Sequence, residues 1–429
     1  MQLGKNFVFK VLSCTGLARG LCGCDLKMIF IKQSGCFENN LLFWKILGIY
    51  PSKVNWKFNE IYSKIFVGLF IFIYVGLFTI DFYFLAWELD LFIGETIFYF
   101  TVLSVMSKVV TYMVAKKKIA QLLEMLDSEI FQPETKKGLQ IIMKAKKFNA
   151  KYWKIVAGVS YYSSLNHLLS PLIAYWFASV QLHSSLSCSY SFLDENFKEK
   201  HILAIYLYQT IGIHINMHYN VNIDTFFVGL MMFVIAQLEL LEEKLITMTK
   251  EDDIPRRDKQ NLNSNTIASD DSAVITKLNK AIIHYKSVSK FCGLIEEVFS
   301  VTLFVQFSMA SCIICVCLFR FTLPATVQYY TFLATYMSMM IVQILMPCWF
   351  GSRIIDKSCL LSQAIYACDW TPQSRRFKSS MRLFVERANR PLSITGWKTF
   401  PLSMTTFTSI MNSAYSFLTL LRNMQSREV

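Results

Sequence analysis

The chain has 429 residues, of which 54% are apolar, 15% aromatic and only 17% charged, and its mean hydropathy is +0.37. A soluble domain carries roughly 25% charged residues, so a soluble globular protein is excluded, as are a disordered chain, a disulfide scaffold and a coiled coil. The net charge of +13, from 43 Lys+Arg against 30 Asp+Glu, would point to nucleic acid in a soluble protein. In a membrane protein it reads as the excess of Lys and Arg in cytoplasmic loops, and no nucleic-acid partner is expected.

A helix needs about 20 mostly apolar residues to cross a hydrocarbon core of about 30 Å. Seven segments qualify, at 62–85, 92–114, 153–177, 202–240, 298–319, 325–349 and 399–421. The predicted fold is therefore all-α, a polytopic membrane protein with seven transmembrane helices. The fourth segment is too long for one crossing, yet it has no Pro and only Gly212 and Gly229. It reads as one long helix that continues beyond the bilayer.

Lys and Arg counts orient the spans. The leader (1–60) and the second, fourth and sixth loops hold eight, nine, nine and eight, whereas the first, third and fifth loops and the tail hold none, two, one and two. The positive-inside rule puts the N-terminus in the cytoplasm and the C-terminus outside. The first 40 residues carry Lys5, Lys10, Arg19, Lys27 and Lys32 without an apolar core, so they read as a cytoplasmic leader rather than a signal peptide. The expected organisation is a leader (1–60), spans one to six (61–350), cytoplasmic anchor helices (351–398), and a seventh span with a short external tail (399–429).

Of the 12 Cys, only Cys188 falls in a sizeable outside loop. Cys14, Cys22, Cys24, Cys36, Cys359 and Cys368 face a reducing cytosol, where thiols stay free, and Cys312, Cys315 and Cys317 of span five are packing residues. No metal site and no cofactor are expected. The cytoplasmic segments are rich in pattern. Residues 116–130 and 134–151 read as basic helices, 251–273 as a disordered loop, and a helical pattern resumes at Leu278 and runs into span five. Residues 352–390 read as two helices broken at 370–372, the second with Phe377, Met381, Phe384 and Ala388 on one face. That face would lie on anionic lipid or pack into a cytoplasmic helical bundle.

Two membrane regions are unusually polar, and polar groups there usually face a cavity, a pore or another helix. In the outer half of spans two, three, four and six, the candidate ligand-binding residues are Thr96, Phe100, Ser164, His167, Tyr206, Gln209, Tyr330 and Thr335. Aromatic walls with a few hydroxyls and amides suit a small, mostly apolar ligand, and helix–helix packing is the competing reading. In span seven, Thr405, Ser409, Asn412, Ser416, Thr419 and Asn423 are spaced 4, 3, 4, 3, 4 and share one helical face. An uncharged hydroxyl-and-amide stripe suits a water-filled pore wall built from several subunits, with weak selectivity among cations. Leu420 and Met424 stand beside its outer end as a candidate constriction, and a polar packing seam is the alternative.

Enzyme chemistry is not expected. His214 and His218 have zinc-protease spacing, but Ile215 stands where the general-base Glu is required. The sequence has no Gly-rich phosphate loop, no G-x-S-x-G elbow and no evident pair of intramembrane carboxylates. Asp224 reads as a lone structural acid.

The last 70 residues carry a resemblance. Leu361-Ser-Gln-Ala-Ile-Tyr-Ala-Cys-Asp-Trp370, then Arg390-Pro391, Phe400-Pro-Leu-Ser-Met-Thr-Thr-Phe-Thr-Ser-Ile410 and Ser413-Ala-Tyr-Ser-Phe-Leu-Thr-Leu-Leu421 resemble the end of the insect odorant receptors. Phe43-Trp44-Lys45-Ile46-Leu47-Gly48-Ile49-Tyr50-Pro51 is similar to that family's start, so the resemblance spans about 41–424. The 40-residue leader departs from the family's usual short N-terminus.

The resemblance implies an odorant-gated, non-selective cation channel of four subunits, in which this chain tunes ligand choice beside a shared co-receptor and needs no G protein for gating. It implies a volatile small-molecule ligand in the outer half, a pore lined by the last helix with a gate at Leu420, Asn423 and Met424, and an anchor bundle in which Tyr366, Asp369 and Trp370 make subunit contacts. It also implies a place in the plasma membrane of an olfactory neuron's dendrite. A gustatory-receptor-like homomeric channel is the nearest alternative, although this chain lacks that group's Thr-Tyr…Gln-Phe ending. A transporter or polytopic enzyme is the alternative from another class.

Overall fold

The computed structural model describes residues 30–49, 56–84, 89–178, 188–249, 264–324 and 327–428. Gln33–Val429 forms one unit by its internal contacts, and it is almost entirely helical. A 3-10 turn, Gln33–Phe37, leads into α1, Glu38–Ile46. This end of the leader is wedged into the bundle. Phe37 and Trp44 are fully buried, with Phe37 4.8 Å from the Phe226 ring and Trp44 4.3 Å from Tyr112. Asn40 Nδ2 donates to Asn222 O at 2.8 Å and to Thr225 Oγ1 at 2.9 Å, which satisfies its buried amide.

The first span, α2, begins as Trp56–Val67, passes through a π-helical turn, Gly68–Ile73, and continues as Tyr74–Phe84. The wider turn loosens backbone carbonyls, and two of them find donors: Tyr208 Oη reaches Leu69 O at 3.2 Å and Asn216 Nδ2 reaches Phe70 O at 3.1 Å. The second span is α3, Leu89–Val114. The predicted helices at 116–130 and 134–151 appear as α4, Lys116–Leu126, and as the cytoplasmic start of α5, Lys136–Ala178, which runs unbroken into span three. Ile119, Leu122 and Leu126 of α4 are buried, as their spacing requires.

α6, Glu195–Thr247, is one 53-residue helix with a single non-helical residue at His201, so the long fourth segment does not double back. It packs against α5 and against α8, Val327–Tyr366. Its two glycines are needed for close approach. A Cβ at Gly212 would fall 2.1 Å from the Tyr74 ring, and one at Gly229 would fall 2.3 Å from Asn149 Oδ1.

α7 spans Ser264–Arg320, which corrects the expectation of a disordered loop over 251–273. Helix begins at Ser264, and 251–263 lie outside the described residues. Asn and Asp cost only a few tenths of a kcal/mol each in a helix, and a helix already anchored by the buried Leu278, Tyr285 and Val288 propagates through them cheaply. α9, Arg375–Ala388, is capped by Ser374, whose hydroxyl accepts from Phe377 N at 3.3 Å. Its stripe of Phe377, Met381, Phe384 and Ala388 is buried, and the Phe384 ring lies 5.5 Å from Tyr285 of α7. Of the two readings of this helix, the cytoplasmic bundle is the one the packing supports.

A short antiparallel hairpin, Thr395–Gly396 with Phe400–Pro401, turns the chain back toward the membrane through Trp397 and Lys398, both at positive φ. The last helix, α10, is Met404–Glu428, and it packs on α7 and α8. Among the described residues, five helices are long and apolar enough to cross a membrane by length and composition. The two that fall outside that set, α5 and α10, carry polar stretches read from the sequence.

Candidate functional site

In the outer half, α5 and α6 are joined by a polar and aromatic cluster. Ser164 Oγ and His214 Nδ1 are in hydrogen-bond contact. The His214 ring lies 5.0 Å from that of His218, which itself lies 5.0 Å from Tyr161. The two histidines thus make ring and hydroxyl contacts between neighbouring helices. Across the bundle, α3 and α8 meet through Phe98, 6.2 Å from Phe332 and 6.2 Å from Tyr336, and the Tyr336 hydroxyl contacts Thr101 Oγ1. Below this cluster, Thr101, Ser104, Asn220, Gln306 and Gln343 edge a cavity of about 10 Å³, the size of a single water. An organic ligand entering there displaces side chains.

The other candidate ligand residues are distributed differently. Tyr206 and Gln209 are buried. Gln209 Nε2 donates to Cys188 O at 2.7 Å, so its amide holds the outer loop. Thr96 is buried with its hydroxyl donating to Phe92 O at 2.6 Å, and Phe100 is half-buried, 6.0 Å from Tyr99. Tyr330 Oη donates to Leu323 O at 2.6 Å and its ring stacks on Phe321. Thr335 is exposed, with its hydroxyl turned to Thr331 O, so the fold does not bring it to the others. The side chain of His167 lies outside the described residues.

Two constellations escaped the sequence reading. Asp224 is not a lone acid: Lys108 Nζ, fully buried, pairs with its Oδ1 at 2.6 Å. Gln343 Nε2 donates to its Oδ2 at 2.5 Å, and Asn220 Oδ1 accepts from both Lys108 and Gln343. The network ties α3, α6 and α8 together. The expected absence of paired carboxylates is also corrected, because Asp81 of α2 and Glu95 of α3 are both buried beside Cys188, with donor atoms all within 4.8 Å of one another.

This set has the chemistry of a divalent-cation site, but three of its four carboxylate oxygens already accept from the loop. Asp81 accepts from Cys188 Sγ at 2.9 Å, Tyr190 N at 3.1 Å and Ser191 N at 2.5 Å, and Glu95 accepts from Ser189 N at 2.8 Å. Burial, reinforced by the charge on Asp81, pushes the Cys188 thiol far above its ordinary range, so it stays a protonated donor. The two acids pin residues 188–191 of the third loop, on the outer side, over the bundle.

The seventh span differs from all of these. Thr405, Ser409, Asn412, Ser416 and Thr419 are exposed along one face of α10, and with Thr408, Ser413 and Leu420 most of them line an open groove of about 670 Å³. Asn423 is exposed at the outer end of the same face. Leu420 is 54% exposed, and the side chain of Met424 lies outside the described residues. In the cytoplasm Tyr366 and Asp369 are exposed and Trp370 is half-buried. The Tyr366 and Trp370 rings lie 6.2 Å apart, and Asp369 N donates to Thr249 Oγ1 at 3.0 Å.

Residues 88–415 match the family model described as 7tm odorant receptor. The chain belongs to this family of insect odorant receptors. It is 25% identical over 218 residues to odorant receptor 10 of Aedes albopictus, covering 51% of this chain and 54% of that protein. To odorant receptor 67a of Drosophila melanogaster it is 24% identical over 327 residues, covering 74% and 77%. The chain thus spans about half the length of the first of these receptors and most of the second. Its fold is similar to that of the olfactory receptor OR5 of the insect Machilis hrabei, solved in complex with eugenol. The TM-score is 0.77 at 16% identity, over 92% of this chain and 99% of that one. The chain is accordingly a multi-pass, all-α membrane protein, and its family is one of receptors rather than enzymes.

Proposed function

We propose that this odorant receptor is the ligand-tuning subunit of an odorant-gated, non-selective cation channel, assembled with a shared co-receptor as a heterotetramer in the plasma membrane of an olfactory neuron's dendrite. The observation that carries the reading is the face of α10. Its hydroxyls and amides are exposed over five turns, although a polar face toward lipid is costly. Several such helices around an axis make a wet pore wall without fixed charge, which conducts cations with little discrimination. Leu420, Asn423 and Met424 form its outer constriction.

The ligand is a volatile, mostly apolar small molecule, held where Ser164 and His214 face one another and where Phe98, Phe332 and Tyr336 gather, with Thr96, Phe100, Tyr206, Gln209 and Tyr330 on the surrounding walls. Tyr366, Asp369 and Trp370, largely uncovered on the single chain, meet the neighbouring subunit. Gating passes from pocket to pore within the assembly and requires no G protein.

Whole-cell current in cells expressing the chain with and without an odorant co-receptor, across a panel of volatiles, tests the reading. An odorant-evoked cation current that needs both chains and survives G-protein inhibition supports it. Current from this chain alone would make it a homomeric channel, and a response abolished by G-protein inhibition would refute direct gating.

A further inference from the structure

On the cytoplasmic side, α5, α6 and α8 enclose a groove of about 700 Å³ that the ligand and pore readings leave unused. One wall is α5, where Lys144, Lys147 and Lys151 recur at i, i+3 and i+7 and share a helical face. The other is α8, with Arg353 one turn beyond Trp349. Met232 of α6 and Leu345, Met346 and Trp349 of α8 give the groove an apolar floor.

Its place along the membrane normal is unusual for so basic a groove. Span three starts at 153 and span six ends at 349, so the four cations stand just where these helices leave the bilayer and the floor runs into the hydrocarbon. Trp349, 51% exposed, is at that boundary, where Trp is favoured. Lys144, Lys147 and Lys151 are exposed, and among the described residues no carboxylate pairs with them. Arg353 is 3.8 Å from Glu239, which also lies 3.6 Å from Lys357. Positive charge is therefore in excess over an apolar channel.

We propose that this groove is a binding site for an anionic phospholipid of the cytoplasmic leaflet. The headgroup phosphate is held by Lys144, Lys147, Lys151 and Arg353, and an acyl chain lies along Met232, Leu345 and Met346. Basic pockets between membrane helices on the cytoplasmic side recognise such headgroups, and the lysine stems cover the apolar wall while their ammonium groups reach the phosphate. A soluble acidic partner would leave the floor uncovered, and a second copy docking by the same face would set these four cations against four more.

The full-length chain in nanodiscs of phosphatidylcholine, doped with a photoreactive phosphatidylserine or in parallel a photoreactive phosphatidylcholine, tests this by mapping adducts with mass spectrometry. Adducts of the serine lipid are expected on 140–151 and 345–353 at about tenfold or more over the choline lipid, given the strength of basic residues near anionic lipid. Lys144→Gln/Lys147→Gln/Lys151→Gln removes the preference. The same charge change at Lys117 of α4 and at Lys280 and Lys290 of α7, none of which lines the groove, preserves it. Arg353→Gln alone, which perturbs the chain least, lowers it several-fold. Equal labelling by both lipids, equal loss in the two triple variants, or chain-to-chain cross-links filling the groove would each overturn the proposal.

Discussion

α6 and α10 are both long membrane helices rich in polar side chains, and they meet opposite fates. In α6 several of the polar groups are paired within the subunit: Asp224 with Lys108, Asn222 with Trp153 and its own helix, Gln237 with Gln33 and His284. Its glycines let α2 and α5 approach to contact. In α10 the stripe faces outward; the Thr419 hydroxyl turns back to Ser416 O, as the neighbouring Thr408 and Ser413 turn to carbonyls of the same helix. One helix completes the subunit from within, and the other is complete only in an assembly. Substitutions should therefore damage folding in α6 and spare folding but alter conduction in α10.

The largest loss is expected from Lys108→Met, which takes the fully buried ammonium partner from the partly buried Asp224 carboxylate and leaves it Gln343. About 3–5 kcal/mol is typical for breaking a buried pair, enough to abolish surface expression. Lys108→Met with Asp224→Leu should recover much of it, and thermal unfolding of the purified chain measures both. Gly212→Ala comes next. The Tyr74 ring must move for the new methyl, at about 1–3 kcal/mol as for other overpacked sites, and Tyr74→Leu in the same chain should relieve the cost. Ser374→Ala removes the cap of α9 and should lower stability by about 1 kcal/mol, visible as a small drop in melting temperature. Ser416→Ala, on the exposed face of α10, should stay within about 0.5 kcal/mol while changing single-channel conductance. A Ser416→Ala chain that fails to fold would erase the contrast between the two helices.

Much of the fold was legible because membrane helices announce themselves by length and charge asymmetry. The single long α6 followed from the absence of Pro, and the buried face of α9 from the spacing of four apolar residues. The polar stripe of α10 was equally periodic, since it lies on one helix. Pairings between helices were not legible. Lys108 and Asp224 are 116 residues apart, although a lone Lys in an apolar span and a lone Asp in another, both toward the cytoplasmic end, were a signal in hindsight. Asp81 and Glu95 carry no pairing signal in the sequence, because their partners are groups of a loop about a hundred residues away, most of them backbone N–H. The burial of Phe37 and Trp44 was hidden by a leader that reads as a basic extension. For the ligand region, the sequence found polar helices but not their facing: it named Thr335, which is exposed, and passed over Tyr336, which is turned to Thr101.

The central claim is that the stripe of α10 lines a pore shared between subunits. Cysteine substitution of Ser409, Asn412, Ser416 and Thr419, with Phe407, Ile410 and Leu418 as off-stripe controls, tests it most directly. The chain is co-expressed with the co-receptor and exposed to a charged, water-soluble thiol reagent during odorant-evoked current, after the native background, including the exposed Cys312 and Cys359, has been shown to be insensitive. Modification should block current at the four stripe positions, faster with odorant than without, and leave the controls unaffected. Equal reactivity on both faces, or none on the stripe in a conducting receptor, would contradict it.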